Sequence, residues 1–316
     1  MHTEKYRFEM SAVPPYNFEL TVHKPAGWWW STPKEIFQDG VLWTTARFNS
    51  RLVGLRLNSV GTSRKPTVRC SVFTDERMNN HEKENISHAV ERALGVREDI
   101  NEFYEITRKD RILCQPALDL CGMRAPAWPE LFPALILALT LQMAPMKRSN
   151  QMMDLLIAEF GDKVCFNGKT IVHWPSPEKT AALTLEKLNA KARLGYRAKN
   201  LSAIAKALKD GFPSADELAE IQPDEAKKRL LTLRGIGDYS ADMVVPGMGF
   251  PLDVWSAKIF SILLVGKEPE SPREAILELK QMAKERWGKW CGYAFVYVLN
   301  DLPLISKRLG IDLTQF

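Results

Sequence analysis

The sequence predicts an α+β N-terminal antiparallel-sheet domain over residues 1–112, followed by an all-α helical bundle over residues 113–316 that contains a helix-hairpin-helix motif. Short segments before residue 75 alternate between apolar and polar residues, as half-buried strands do. After residue 129 the apolar residues recur at helical spacing. A chain of 316 residues also exceeds what one hydrophobic core usually organises, so two parts are expected.

The first part reads as a sheet followed by two helices. Turns bearing glycine or asparagine separate its alternating segments, which predict strands at 18–22, 42–46, 52–57 and 68–72. Helices are expected at 86–94 and 99–106. The triplet Trp28, Trp29 and Trp30 lies in a loop flanked by proline and glycine, and we interpret it as packing between domains rather than as a stacking surface.

The second part reads as helices separated by glycine, proline or asparagine. The apolar spacing predicts helices at 131–143, 149–160, 179–189, 198–209, 224–233, 271–287 and 293–302. The first of these is almost wholly apolar, so we expect it to be buried centrally. Ser271 and Pro272 are typical of an N-cap and a first helical position.

The composition indicates a general class of protein but does not identify a function. A content of 45% hydrophobic and 26% charged residues is typical of a soluble globular protein, and a net charge of +5 is compatible with a polyanionic partner. The five cysteines form neither a C-x-x-C pair nor a cluster with histidines, so neither a metal site nor a disulfide framework is predicted. We expect an intracellular protein without a membrane partner, because no signal peptide or apolar stretch of about 18 residues is present.

Positive charge is concentrated in one stretch. Seven basic residues fall within 23 positions that contain no acid: Lys187, Lys191, Arg193, Arg197, Lys199, Lys206 and Lys209. They predict a surface that faces phosphates, and the alternative is a solvated helix face.

The sequence LRGIGDYSAD at 233–242 is typical of two helices joined by a tight turn. Gly235 and Gly237 flank Ile236, so two residues can adopt a positive φ and bare backbone can approach a ligand closely. The unpaired N–H groups and positive dipole end of the next helix favour an anion there. The alternative is an ordinary turn between helices with a glycine C-cap.

Shortly after the turn, FPLDVWSAKIF at 250–260 places Asp253 at the start of another helix. An aspartate there is either an N-cap or a carboxylate held ready for chemistry, since the helix dipole favours its ionised form. For an aspartate taken by itself the N-cap is the favoured interpretation; the glycine turn, together with the resemblance of these motifs to a known family, favours the carboxylate held for chemistry.

Together these motifs resemble the helix-hairpin-helix-Gly/Pro-Asp superfamily of DNA glycosylases. Within it the chain is most similar to the DNA-3-methyladenine glycosylase II and 8-oxoguanine DNA glycosylase branches. LGYRAKNL at 194–201 is similar to a segment of the 8-oxoguanine branch, and AKERWGKWCGYAFVYV at 283–298 resembles the C-terminal helix pair of the 3-methyladenine branch. TLQMAP at 140–145 stands where that branch has glutamine followed by an intercalating residue. The resemblance covers most of the chain and is strongest in 130–300.

The resemblance implies base excision repair by hydrolysis of the N-glycosidic bond of damaged, alkylated purines, with Asp253 as the catalytic carboxylate. The base must be flipped out of the duplex to reach it. The residues implied to contact DNA are Gln142, Met143, Arg234, Gly235, Ile236, Gly237 and Tyr239. The aromatic candidates for the base pocket are Tyr239, Trp255, Trp287 and Trp290. The implied partner is double-stranded DNA containing damaged bases, bound by a monomer without a cofactor, although a monovalent cation at the hairpin fits the resemblance.

The chain also departs from the family pattern. Arg234 stands where the family usually has proline before the first hairpin glycine, and Tyr239 stands where bifunctional members have lysine. Without that amine no Schiff base and no β-lyase activity are expected. No C-terminal four-cysteine cluster is present, so no iron–sulfur cluster is expected. The alternatives are an 8-oxoguanine glycosylase with lyase activity and a non-catalytic protein that uses the hairpin only to hold damaged DNA.

Overall fold

The computed structural model describes residues 2–48, 50–62, 64–125, 127–247 and 249–315. The strands are β1 (Thr3–Ser11), β2 (Ile36–Gln38), β3 (Val41–Phe48), β4 (Arg51–Ser59), β5 (Thr67–Thr74), β6 (Asp162–Phe166) and β7 (Lys169–His173). The helices before the glycine turn are α1 (Phe18–Val22), α2 (Asn80–Leu94), α3 (Asn101–Thr107), α4 (Cys114–Asp119), α5 (Leu131–Leu141), α6 (Met146–Phe160), α7 (Pro177–Ala181), α8 (Leu185–Ala192), α9 (Arg197–Lys209), α10 (Ala215–Ala219) and α11 (Pro223–Leu231). The helices after it are α12 (Asp238–Val244), α13 (Val254–Val265), α14 (Pro272–Trp287), α15 (Cys291–Asn300) and α16 (Leu302–Leu309).

The first five strands form one antiparallel sheet in the order β1-β5-β4-β3-β2. The predicted strands at 42–46, 52–57 and 68–72 are confirmed as β3, β4 and β5. Leu55 pairs with Val72 across β4 and β5, and both side chains are fully buried. One face of the sheet packs on α2, because alternate strand residues point to the same side.

The segment at 18–22 was predicted as a strand, and this prediction is wrong. It forms the short helix α1, whose N-cap Asn17 accepts a hydrogen bond from the Leu20 backbone N–H at 3.0 Å. Five residues of alternating polarity are too few to distinguish a strand from a capped helical turn. The edge strands β1 and β2 were not predicted.

The second part is not all-α, which corrects the predicted class of that part. Strands β6 and β7 form a hairpin whose turn residues Asn167 and Gly168 have φ values of 47° and 72°. Phe166 is buried against the large sheet, where a Cβ added to Gly54 would lie 2.5 Å from its ring. Glycine in β4 therefore lets this hairpin dock on the N-terminal sheet.

The predicted helices of the second part are found with shifts at their ends, except that the one at 179–189 is interrupted. It divides into α7 and α8, and Thr184 caps α8 by accepting from the Lys187 backbone N–H at 3.2 Å. Helix α5 is buried on almost every side, as its apolar sequence predicts. No helix within the described parts of the chain combines the length and the apolar character needed to cross a membrane.

Three large hydrophobic cores organise these elements, and a fourth, small cluster joins the hairpin of β6 and β7 to the sheet. The first core lies among α5, α6, α9 and α12 and includes Leu135, Leu139, Met152, Leu201 and Ile204. The second core lies among α3, α13, α14 and α15 and includes Phe103, Phe250, Phe260, Trp287 and Tyr297. The third core lies between the large sheet and α2 and includes Leu55, Leu57, Val72, Ile86 and Val90. Helix α3, which precedes residue 112, thus packs with helices from the C-terminal end of the chain.

The tryptophan triplet reaches all three cores. Trp28 packs against the second core, Trp29 against the first and Trp30 within the third. The Trp29 ring lies 5.3 Å from that of Trp128 and 5.5 Å from that of Trp174. The three consecutive indoles join separate cores, in the packing role expected from the sequence.

Candidate active site

The glycine turn, residues 232–237, joins α11 to α12 and has two glycines with different roles. Gly235 has a φ of 81°, and a Cβ there would lie 2.3 Å from Asn200 Nδ2. Gly237 instead has an extended backbone with a φ of −98°, so only one of the two glycines uses the left-handed region. A Cβ at Gly237 would meet nothing within 4 Å. Ile236 is buried at 5% exposure, so only its backbone is available to a ligand.

The end of α5 is attached to this turn. Gln142 Nε2 donates to the Gly235 carbonyl at 2.7 Å and to Ser240 Oγ at 2.8 Å. Arg197 donates from Nε to the Leu139 carbonyl at 3.0 Å and from Nη2 to the Gln142 carbonyl, so it caps the C-terminus of α5.

Met143 follows directly and is presented to solvent. Its φ is 48°, and its side chain is 80% exposed. A left-handed backbone is unfavourable for a residue with a Cβ. An exposed apolar side chain also forgoes the free energy that its burial would contribute. The family resemblance implies an intercalating residue at this position; Met143 is exposed, and its role as a wedge stays a prediction.

Beside the turn lies a polar and aromatic surface that sequence analysis only partly identified. Arg234 is exposed and donates from Nε to Asn200 Oδ1 at 3.3 Å. Tyr196, one helical turn before Asn200, is 58% exposed, and the Arg197 guanidinium stacks 4.5 Å from its ring centroid. Tyr196 and Asn200 were not singled out, although the segment LGYRAKNL contains both.

The basic stretch divides into two groups. Arg197 is 8% exposed and donates hydrogen bonds to carbonyls at the end of α5. Its guanidinium therefore stabilises the fold and is not part of the exposed basic surface. The remaining six side chains are exposed: Lys187, Lys191, Arg193, Lys199, Lys206 and Lys209. Lys191 also forms an ion pair with Glu159 at 3.3 Å.

Asp253 is the N-cap of α13, and it is only half-buried. Its Oδ1 accepts from the Ser256 backbone N–H at 2.8 Å and from Ser256 Oγ at 2.7 Å. Ser256 Oγ in turn accepts from the Asp253 backbone N–H at 2.9 Å, which completes a reciprocal cap. The other oxygen, Oδ2, forms no hydrogen bond to any described residue. Capping and an available carboxylate oxygen therefore coexist in this residue.

Tyr239 lies close enough to Asp253 for the two to interact electrostatically. Burial raises the pKa of the Tyr239 phenol, and the negative charge of Asp253 raises this pKa further. The phenol therefore stays protonated at neutral pH. Position 239 of helix α12 thus carries a neutral hydroxyl rather than an amine.

The three tryptophans proposed for a base pocket differ in position. Trp255 is half-buried in the first turn of α13, two residues after Asp253. Trp290 is half-buried and packs against the second core, with its ring 5.8 Å from that of Phe103. Trp287 is 1% exposed and donates from Nε1 to Asp110 Oδ2 at 2.8 Å. The expectation that Trp287 lines a pocket is therefore corrected, because an indole inside the second core has no surface that a base can reach.

The chain has the fold of the DNA glycosylases. It superimposes on the 3-methyladenine DNA glycosylase of Archaeoglobus fulgidus with a TM-score of 0.74 and 21% identity, over 95% of this chain and 99% of that one. It superimposes on the 8-oxoguanine glycosylase/lyase of Clostridium acetobutylicum, in complex with double-stranded DNA containing cytosine opposite 8-oxoguanine, with a TM-score of 0.68 and 17% identity, over 98% of this chain and 99% of that one.

A particular sequence relative is the DNA-3-methyladenine glycosylase of Bacillus subtilis (strain 168). The two chains are 28% identical over 210 residues, which cover 65% of this chain and 68% of that protein. No protein-family model matches the chain. The resemblance to the DNA glycosylases that the sequence predicted is thus confirmed by fold and by sequence similarity.

Proposed function

We propose that the protein is a DNA glycosylase of base excision repair that hydrolyses the N-glycosidic bond of alkylated purines without cutting the DNA strand. One observation carries the proposal: Asp253 has one carboxylate oxygen fixed by Ser256 and the other unbonded to described residues. The protonated Tyr239 is near enough for the charge of Asp253 to affect it. The sequence similarity of the chain to the Bacillus subtilis DNA-3-methyladenine glycosylase supports alkylated purines as the class of substrate.

The carboxylate suits the chemistry of this bond. As the base leaves, positive charge develops on the sugar, and a fixed negative charge beside C1′ stabilises it. The hydrogen bonds from Ser256 orient Asp253 before the reaction, so little reorganisation is needed. The second oxygen is then available to face the sugar or to orient the attacking water.

The glycine turn is proposed to act as a helix-hairpin-helix that binds the DNA backbone. The open side of Gly237 lets a phosphate approach the backbone without meeting a side chain. Met143 would fill the gap left by the flipped base, as apolar wedges do in other DNA-bending proteins. Tyr196, Arg234 and the exposed lysines of the basic stretch extend this surface for phosphates and bases.

The base pocket is proposed to lie around Asp253, with Tyr239, which Asp253 affects electrostatically, and Trp255, in the first turn of the same helix, as its aromatic candidates. An alkylated purine carries positive charge, and aromatic faces attract cations. Trp290 is retained as a further candidate because its ring is only half-buried.

A second candidate function is removal of 8-oxoguanine. The segment at 194–201 favours it, as does the likeness of fold to the Clostridium acetobutylicum enzyme. The tyrosine at position 239 is unfavourable for the lyase step that the name of that enzyme includes.

The test is a panel of duplexes that each carry one lesion: 3-methyladenine, hypoxanthine, 8-oxoguanine or uracil. Free base and strand nicking are measured separately for each duplex. We expect base release from the alkylated duplex without nicking. Tight binding to damaged duplexes with no base released from any of them would instead support a non-catalytic damage-binding protein.

A further inference from the structure

Four charged side chains from three helices meet beside the glycine turn. Lys227 of α11 contacts Asp238 Oδ1 and Asp242 Oδ1, each at 2.6 Å. Lys280 of α14 contacts Asp242 Oδ2 at 2.6 Å and also bridges to Asp238 Oδ2. Each lysine thus joins both aspartates of α12. We refer to Lys227, Asp238, Asp242 and Lys280 as the four-charge cluster.

The four-charge cluster is more than a surface ion pair. The Asp242 side chain is 5% exposed, and those of Lys280 and Lys227 are 18% and 25% exposed. Burial alone would raise the pKa of Asp238, but hydrogen bonds from Lys227 and Lys280 outweigh it and hold this pKa below its usual range. The Asp238 side chain is 58% exposed, so the buried part of the cluster is Asp242 with its two lysines. A buried charge that loses its partner is strongly unfavourable, so these three side chains constrain one another.

The loop that ends at Asp253 rests directly on this cluster. The Gly249 backbone N–H donates to the Asp242 carbonyl at 2.8 Å. A Cβ at Gly249 would lie 2.4 Å from Asp242 Oδ1, so the loop approaches the carboxylate as closely as a glycine allows. From Gly249 the chain continues through the buried Phe250 and Leu252 to Asp253.

We infer that the four-charge cluster is a positioning device, which fixes the Asp253 loop relative to the glycine turn and so holds the carboxylate in place for the reaction. The inference rests on the proposed function. It assigns to Lys227 and Lys280 a role other than phosphate binding, although both lie next to the proposed DNA surface. Their charges are balanced by Asp238 and Asp242 within the protein.

Phosphate binding and positioning predict different effects when the lysine is substituted. A phosphate-binding lysine contributes to affinity and to its salt dependence, so its loss weakens binding and lowers the salt slope by about one. A positioning lysine acts on the reaction step, because a carboxylate displaced by about 1 Å costs on the order of 100-fold in rate. Affinity and rate therefore distinguish them.

The experiment compares Lys280→Met and Asp242→Asn with Lys280→Arg, which keeps the charge. Gly249→Ala leaves all four charges in place but pushes the loop away from Asp242, and it serves where a charge variant fails to fold. Lys34→Met is the matched control, since Lys34 forms an ion pair with Asp154 at 2.7 Å on an exposed surface. Single-turnover base release, duplex affinity at several salt concentrations and amide hydrogen exchange of 249–256 are measured for each.

We expect Lys280→Met, Asp242→Asn and Gly249→Ala to exchange the amides of 249–256 faster and to release base about 10- to 100-fold more slowly, with affinity and salt slope close to those of the parent protein. Lys280→Arg should recover most of the rate. Unchanged exchange, or a lower salt slope with an unchanged rate, would overturn the inference. Hydrogen exchange needs no substrate, so a parent protein that releases no base would refute the proposed function while the positioning role is still decided by exchange.

Discussion

Gln142 donates from its side-chain amide to the carbonyl of Gly235 over 2.7 Å, and this bond joins the C-terminus of α5 to the glycine turn. The residue that follows Gln142 is the exposed Met143. The proposed wedge and the proposed phosphate-binding turn are therefore held at a fixed separation.

Met143→Ala should slow base release from normally paired lesions by about tenfold, because no apolar side chain would replace the flipped base. The effect should be smaller for lesions opposite a mismatch, which are easier to unstack. Single-turnover rates on the two duplexes measure the difference. Met146→Ala is the matched control, since Met146 is 62% exposed and lies three residues away. Equal rates for Met143→Ala and the parent protein on both duplexes would contradict the wedge.

Asp253→Asn should lower base release by at least about two orders of magnitude while duplex affinity stays nearly the same, because the change removes only a charge needed in the transition state. Asparagine is also a good N-cap, so α13 should remain intact. Ser256→Ala provides the comparison: it keeps the carboxylate but removes one of its hydrogen bonds, and its rate should fall less. Near-normal turnover by Asp253→Asn would assign the reaction to another residue.

Gly237→Ala should weaken binding to all duplex sequences alike, by about tenfold, which corresponds to one charge-assisted hydrogen bond of about 1.5 kcal/mol. The folded structure has room for this Cβ, so thermal stability should not change. Gly235→Ala should instead lower the melting temperature, since it combines a positive φ with a clash against Asn200. If Gly237→Ala keeps full affinity and salt dependence, the turn has only a structural role.

Strand cleavage should be absent. A phenol at position 239 cannot form an imine, so borohydride should trap no covalent protein–DNA adduct, and the abasic product should stay uncut until alkali or heat is applied. Tyr239→Phe should give the same outcome, which separates lack of an amine from any role of the hydroxyl. Efficient trapping by the parent protein would show that a lysine reaches C1′ and would favour the 8-oxoguanine alternative.

Asp110 should make stability depend on pH in the acid range. Burial acts to raise the pKa of this carboxyl, but hydrogen bonds from Arg286, Trp287 and two backbone N–H groups outweigh it and lower the pKa. A lowered folded-state pKa stabilises the fold above the unfolded pKa of about 4, and this contribution is lost as pH falls through the folded value. Asp110→Asn should therefore be less stable than the parent protein at pH 7, with a difference that narrows below about pH 4.

Thermal unfolding at a series of pH values measures that difference. Asp210→Asn is a suitable control because it changes an exposed aspartate at the end of α9. A difference for Asp110→Asn that stays constant down to pH 2 would show that the carboxylate is not stabilised in the folded state.

Sequence patterns predicted the central strands and long helices because each has enough residues for its period to be evident. The hairpin of β6 and β7 was missed, although Asn167 and Gly168 stand between alternating segments and form a strong hairpin signal. The segments on both sides have helical apolar spacing, so the hairpin was included in the helical part. The error at α1 has the opposite cause, since five residues cannot define a period.

The candidate site was predictable where backbone chemistry determines it and less so where packing does. The turn glycines and the helix start at Asp253 follow from local sequence, which is why they could be named in advance. The burial of Trp287 depends on which face of α14 packs against Phe250 and Phe260. The presence of one tryptophan in the sequence does not predict which face that is. The four-charge cluster depends on the approach of α14 to α12, which are 28 residues apart along the chain from Val244 to Pro272.

The tryptophan triplet has a consequence for how the chain unfolds. Three successive residues cannot leave their separate sites independently, because disorder at any one of them strains the backbone of the other two. Melting of the sheet region would therefore loosen both helical cores at the same time. A chain of this size would then show one calorimetric transition instead of several, and heat would end base recognition and structural integrity together.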